Sequence, residues 1–372
     1  MPTAILPPKL HIPAIDLSPD SGKSDEDLAA TLLEALFTVG FLYVLNPGPG
    51  LTTGHVRDMF EVAERLFAIP LEEKEAVVFD KDVGAGYTPM MGQTTGVDPN
   101  RFRGDLKESF SIGPNTTTSL PKSTYATDII TKVQSFRRAA YDCSQRLLEL
   151  FSVALKTPNG DKNYFTRRHT WQNNETLRII HYPSFPKAED EADQGKETSW
   201  ENLKVGSKDI RAGAHQDFGS ATLLFQSPPD ENGKATAVQG LEIFVAREDG
   251  PDVLNEDGSG RRGWWIPAPA PEGSSLGGSA LVNVGVAMEI WSGEQFTATW
   301  HRVTVPPPTQ SAVDGQEILP GRKSIVFHSI PDHNVVLTPI DASGVPSVAE
   351  GCMTCGEFFK KRIARTYAYG KA

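Results

Sequence analysis

Between residues 177 and 330 the chain passes through seven short runs rich in β-branched and aromatic residues: Leu177 to Tyr182, Thr222 to Gln226, Leu241 to Val245, Trp264 to Ile266, Ala280 to Val284, Phe296 to Val303 and Lys323 to Ile330. Each is of strand length and is separated from the next by turn-rich sequence. Strands of this number and spacing predict a sandwich or a barrel. The double-stranded β-helix, or jelly roll, is the version that leaves a pocket between its sheets.

The flanks read differently. Ile12 to Leu17 and Gly40 to Leu45 are strand-like, and between them Ser24-Asp25-Glu26-Asp27 forms a capping box ahead of the stripe Leu28, Leu32, Leu36. Val56, Met59, Phe60, Ala63 and Phe67 predict a second helix that Pro70 ends. Residues 80 to 118 are glycine-rich, with little periodicity, and read as either a disordered segment or a functional loop. The longest helix is expected from Tyr125 to Leu155, and a last one from Thr354 to Tyr369. The fold class is therefore mixed α/β with a mainly β core, a jelly roll flanked by N-terminal helices and a C-terminal helix. Its parts are an N-terminal α/β region with substrate-side loops (1–120), a long supporting helix (121–170), the jelly-roll core (171–340) and a C-terminal helix or lid (341–372). Segments 188–208, 227–237 and 248–263 read as exposed insertions.

Charge narrows the function. With 36 Lys and Arg against 47 Asp and Glu, the chain carries a formal charge of −11, whereas nucleic acids and anionic membranes call for concentrated positive surface. No apolar run approaches the roughly 18 residues of a membrane span, and Met1 to Lys9 lacks the pattern of a signal peptide. Three cysteines fit a reducing compartment, so a cytoplasmic location is expected, with Cys352 and Cys355 as ordinary thiols.

Chemistry concentrates at Ala214-His215-Gln216-Asp217-Phe218, which leads into the run ending at Gln226. A spacing of two on a strand or its lip puts imidazole and carboxylate on one face, where they can converge on a metal. Alone, the pair reads as a surface or turn pair. A third ligand would complete the two-His, one-carboxylate facial triad that leaves positions open for chemistry. His301, on the run Thr297 to Val303, is the best placed, with His181, His328 and His333 as rivals. Downstream, Arg322 and Ser324 share a strand face and form a natural carboxylate clamp.

In this order, His-x-Asp, distant His and Arg-x-Ser resemble the catalytic core of the Fe(II)/2-oxoglutarate-dependent dioxygenases, most closely the isopenicillin N synthase-like subfamily. Ile12-Pro13-Ala14-Ile15-Asp16, Gly40-Phe41-Leu42-Tyr43, Phe67-Ala68-Ile69-Pro70-Leu71-Glu72-Glu73-Lys74 and Lys107-Glu108-Ser109-Phe110 are similar to further subfamily segments, so nearly the whole chain is covered. The resemblance implies His215, Asp217 and His301 as iron ligands, and Arg322, Ser324 and Tyr182 around the distal carboxylate of the co-substrate 2-oxoglutarate. It implies an oxygenase that uses O2 to hydroxylate or desaturate a small molecule, in the setting of specialised metabolism, with release of succinate and CO2. An iron oxidase that does without 2-oxoglutarate and a catalytically silent jelly-roll binding protein are the alternatives. The sequence departs from the family at Ile180, where Asn is usual, and at Val286, where Asp is usual. Tyr87, Phe110, Phe225 and Phe358 are the candidates for substrate contact, with Val284 and Phe327 as further lining and Arg101 or Arg103 for an anionic group.

Overall fold

The structure is a computed structural model that describes residues 7–96, 103–188, 203–206, 209–227, 240–254, 260–269, 278–310, 317–347 and 352–368. Along the chain the strands are β1 (Ala14–Asp16), β2 (Phe41–Leu45), β3 (Gly86–Thr88), β4 (Glu108–Ile112), β5 (Thr176–Tyr182), β6 (Phe185–Pro186), β7 (Ile210–His215) and β8 (Ala221–Phe225). They continue as β9 (Leu241–Ala246), β10 (Asp252–Leu254), β11 (Gly260–Pro267), β12 (Ala280–Val284), β13 (His301–Thr304), β14 (Thr309–Gln310), β15 (Glu317–Leu319) and β16 (Arg322–Ser329). The helices are α1 (Asp25–Thr38), α2 (Thr53–Phe67), α3 (Leu71–Glu75), α4 (Ile129–Ala154), α5 (Val286–Trp291) and α6 (Cys355–Ala368).

Eight strands form one sheet in the order β1-β2-β12-β8-β16-β5-β4-β3, antiparallel except for the β1–β2 pair, and five form a second in the order β10-β11-β9-β13-β7. Alternation along each strand sorts side chains between two cores. Leu177 and Ile179 of β5, Leu223 and Phe225 of β8, and Ile325 and Phe327 of β16 join the helices in the larger core. Ile180, Tyr182, Leu281 and Val326 point the other way and meet Ala212, Leu241, Ile243 and Val303 of the second sheet. The space between the sheets is thus the inner face, and the inner residues of β5 and β16 open onto it.

Helix α4 fills the larger core because its apolar stripe is nearly unbroken: Val133, Phe136, Ala140, Leu147 and Phe151 are buried. Helix α1 begins at the capping box, where Ser24 accepts from the Asp27 N–H and the Asp27 carboxylate accepts from the Ser24 N–H. Two expectations change. The region 80–118 contains strands β3 and β4, which extend the large sheet beyond β5. Residues 296–300 are no strand, because their backbone bonds elsewhere: Thr297 N–H donates to Leu36 O, and Ala298 N–H donates to the Glu289 carboxylate. Beyond β12, Val286–Trp291 forms a short helix. Among the described residues no helix is long and apolar enough to cross a membrane, and all three cysteines are free.

Candidate metal centre

Strands β7 and β13 pair so that His301 lies directly across from His215, and a register shift follows before Val303 meets Ala212. That irregularity turns His215 onto the same inner face as Ala212. Asp217 sits just past the end of β7. The ligand-capable atoms of His215, Asp217 and His301 all lie within 4.8 Å of one another, the one such group of three among the described residues. Both imidazole Nε2 atoms stand 3.8 Å from Asp217 Oδ1.

The protons decide what this cluster can do. His215 Nδ1 is 2.8 Å from Gly213 O, and His301 Nδ1 is 3.0 Å from Thr299 O. A carbonyl can only accept, so each Nδ1 carries a hydrogen, and each Nε2 is the ring nitrogen left to face Asp217. The second carboxylate oxygen, Oδ2, accepts from the Asn283 amide at 2.8 Å, leaving Oδ1 open. Burial, then His301, hold the His215 imidazole down at about 3, so it is neutral at pH 7. Burial alone would raise the Asp217 carboxyl, but His301, His328, His215 and Asn283 outweigh it and keep the group well below the usual carboxylate range. Two imidazoles and one carboxylate converging in this way match an iron(II) facial triad.

The backbone around Asp217 is fixed from α5. Val286 N–H donates to Asp217 O at 2.8 Å and Ala287 N–H to Phe218 O at 3.1 Å. Those are main-chain bonds, so Val286 can make them as well as an aspartate could. Gly285 permits the approach, since a Cβ there would stand 2.4 Å from Gly219 O and 2.8 Å from Asp217 O.

Along the same inner face lie the other predicted residues. Arg322 pairs across the ladder with Tyr182, and Ser324 with Ile180. The Arg322 guanidinium lies 4.9 Å from the Tyr182 ring centroid. Its Nε is buried with no partner, and so are Nε and Nη1 of Arg211, a neighbour that sequence reasoning passed over. Burial lowers the Arg322 guanidinium from its ordinary value. This end of the inner face therefore holds unbalanced positive charge among the described residues, and an anion is what would satisfy it.

The four candidate substrate contacts lie elsewhere. Tyr87 is buried on the far side of the sheet, where its hydroxyl donates to Glu108 at 2.6 Å. Phe110 packs between Phe67 and Tyr87, and Phe225 against Phe136, all in the helix-side core together with Val284 and Phe327. Phe358 is also buried there; its neighbour Phe359 reaches Phe218, next to Asp217. For the strand residues, both faces of this sheet are covered, so apolar character carries no sign of which way they point. Arg103 is engaged by Asp209, and Arg101 falls outside the described residues. Two polar residues that sequence reasoning missed do face inward. Asn283 is one; Arg178 is the other, bound to Gln93 at 2.7 Å and Ser109 at 3.0 Å. Placement on β12 and β5, two residues apart from other inner positions, is the signal that could have found them.

Comparison with known proteins follows the same residues. A family described as non-haem dioxygenase in morphine synthesis, N-terminal, matches residues 12–130, and the 2OG-Fe(II) oxygenase superfamily matches residues 173–331. A UPF0676 protein of Schizosaccharomyces pombe is 26% identical, over 97% of this chain and 94% of its own. The proline hydroxylase buaE of Petromyces alliaceus is 26% identical over 90% of this chain and 92% of its own. The fold is that of a full-length Neurospora crassa protein solved in complex with alpha-KG and thymine, at a TM-score of 0.69 and 23% identity, covering 96% of this chain and 97% of that one.

Proposed function

The chain belongs to the 2OG-Fe(II) oxygenase superfamily, and on that premise we propose that its two facing sheets are a jelly roll in which His215, Asp217 and His301 hold iron(II) and Arg322, Ser324 and Tyr182 bind the distal carboxylate of 2-oxoglutarate. The protein is an Fe(II)- and 2-oxoglutarate-dependent oxygenase. The observation that carries the residue assignment is the convergence of two imidazole nitrogens and a carboxylate oxygen within 4.8 Å of one another.

Iron and 2-oxoglutarate, when bound, couple decarboxylation of the keto acid to succinate and CO2 with oxidation of a substrate C–H bond by O2. The chain supplies orientation. Gly213 O and Thr299 O fix the tautomers of the two histidines. Asn283 turns Asp217 so that one oxygen points at the metal. Ile180 and Val326 cover the inner face beside Ser324 with apolar surface and keep water from it. Named relatives include a proline hydroxylase and a structure with bound thymine, which supports a small molecule as the substrate and hydroxylation or desaturation in specialised metabolism as the reaction. In the same reading residues 1–120 supply the substrate-side loops and the C-terminal helix a lid.

Anaerobic addition of Fe(II) and 2-oxoglutarate should produce a metal-to-ligand absorption band that Asp217→Ala abolishes, and succinate release should fall by more than about 100-fold in that variant. Iron uptake with no band on saturating 2-oxoglutarate would return the oxidase reading. Unchanged iron content in Asp217→Ala would overturn the ligand assignment.

A further inference from the structure

Among the described residues two arginines are almost wholly shut away from solvent, Arg137 and Arg211, each 1% exposed. Arg137 meets Glu175 at 2.7 Å, and that carboxylate also accepts the N–H groups of Gln172 and Asn173. Arg211 has no carboxylate partner among the described residues. Its Nη2 alone is engaged, donating to Pro183 O at 3.2 Å and to Pro320 O at 2.5 Å, while Nε and Nη1 are buried and bare.

The neighbours make the arrangement more costly still. The Arg211 guanidinium lies 5.9 Å from the Tyr182 ring centroid, whose other cation is Arg322 at 4.9 Å. Burial, then Arg322, push Arg211 down to about 10, so at neutral pH both remain charged. An unmet buried donor and an unpaired buried charge are each destabilising. Such a pair is accounted for if an anion joins it when the protein works. The two carbonyls that hold Nη2 belong to the residue after Tyr182 and to the residue two before Arg322. Arg211 itself stands on β7, four residues before His215. One side chain thus ties the metal strand of the second sheet to both segments that carry the anion pocket in the first.

We propose that Arg211 is a positioning residue for 2-oxoglutarate, fixing Tyr182 and Arg322 from the facing sheet and adding a second buried positive charge to the subsite for the co-substrate's distal carboxylate. This rests on the assignment of that carboxylate to Arg322, Ser324 and Tyr182.

The test is calorimetric binding, without oxygen and with Mn(II) in place of iron, for the wild-type protein, R211K and R211M. Two ligands are compared: 2-oxoglutarate, and 2-oxobutyrate, which keeps the keto acid head and lacks the distal carboxylate. R211M should bind 2-oxoglutarate at least about 10-fold more weakly, and R211K should recover part of the loss, as expected of a charge-assisted contact. Binding of 2-oxobutyrate should stay the same in all three. Equal weakening of both ligands would show a merely structural role and overturn the proposal, as would wild-type affinity for 2-oxoglutarate in R211M. If R211M does not fold, R211K carries the test through a smaller loss confined to 2-oxoglutarate. A wild-type protein that binds no 2-oxoglutarate defeats the functional reading; one that binds it with no effect of Arg211 defeats this inference alone.

Discussion

His181 and Tyr182 are consecutive on β5 and point into opposite cores, and the polar clusters they join differ in completeness. On the helix side, Glu108 accepts from Lys74 Nζ at 2.9 Å, from the Tyr87 hydroxyl at 2.6 Å and from His181 Nδ1 at 2.8 Å, and Lys74 also donates to Phe67 O. Cation meets anion there, and every buried polar side-chain atom of the cluster has a partner. On the inner side Tyr182, Arg322 and Arg211 gather two cations, three bare nitrogens and, among the described residues, no carboxylate. The first network is internally balanced, whereas the second leaves buried donors unmet. The contrast also explains why Tyr87 and Phe110, prominent in the sequence, do not reach the site: they belong to the closed cluster.

Stability measurements should separate the two clusters most strongly. Lys74→Met leaves Glu108 charged and buried without its cation, and should cost about 3–5 kcal/mol in urea unfolding at pH 7. Arg322→Met, in protein free of metal and co-substrate, removes a charge with no acid partner and should cost under about 1 kcal/mol or stabilise. Similar losses in both variants would erase the distinction.

A second closed contact offers a pH test. His169 donates from Nδ1 to Phe165 O at 2.8 Å, and its Nε2 meets the Ser220 hydroxyl at 2.8 Å, so both ring nitrogens are partnered away from solvent. Burial pushes it from 6.5 down to about 4. The unfolded chain therefore takes up a proton that the folded chain refuses between those values. Stability should decline as pH falls from 6.5 to about 4, by up to about 3 kcal/mol from this group. In His169→Gln the slope of stability against pH should flatten across that window, and an unchanged slope would remove His169 as its source.

The smallest effect lies at the open site itself. Asn283→Ala deprives Asp217 Oδ2 of its donor and should weaken iron binding about 10- to 100-fold in a chelator competition, with little loss of fold. Wild-type iron affinity would mean that Asp217 is oriented by its backbone alone.

What could be read in the sequence follows from the physics of strands. His215 and Asp217 at a spacing of two, and Arg322 and Ser324 likewise, stay together because alternation holds them on one face. His301 needs only to lie opposite His215, as β13 places it. Phe110 and Phe225 could not be assigned, since both faces of the large sheet are buried and a one-residue shift in reading exchanges inside for outside. Strand parity could place Arg178 and Asn283 on the inner face, but the roles of these two and of Arg211 could not be read for another reason. Each owes its role to a partner far away along the chain: Arg178 to Gln93, Asn283 to Asp217, and Arg211 to Pro320.

Strand β2, residues 41–45, pairs with β12, residues 280–284, and β12 in turn carries Asn283 beside β8. A ribosome that has made the first strands must add most of the remaining chain before their neighbour exists, and β13 and β16 come later still. Contacts of such range make folding slow and leave early sheet edges waiting. The two histidines of the candidate metal centre can meet only once β13 has been made, so that site is assembled late in synthesis.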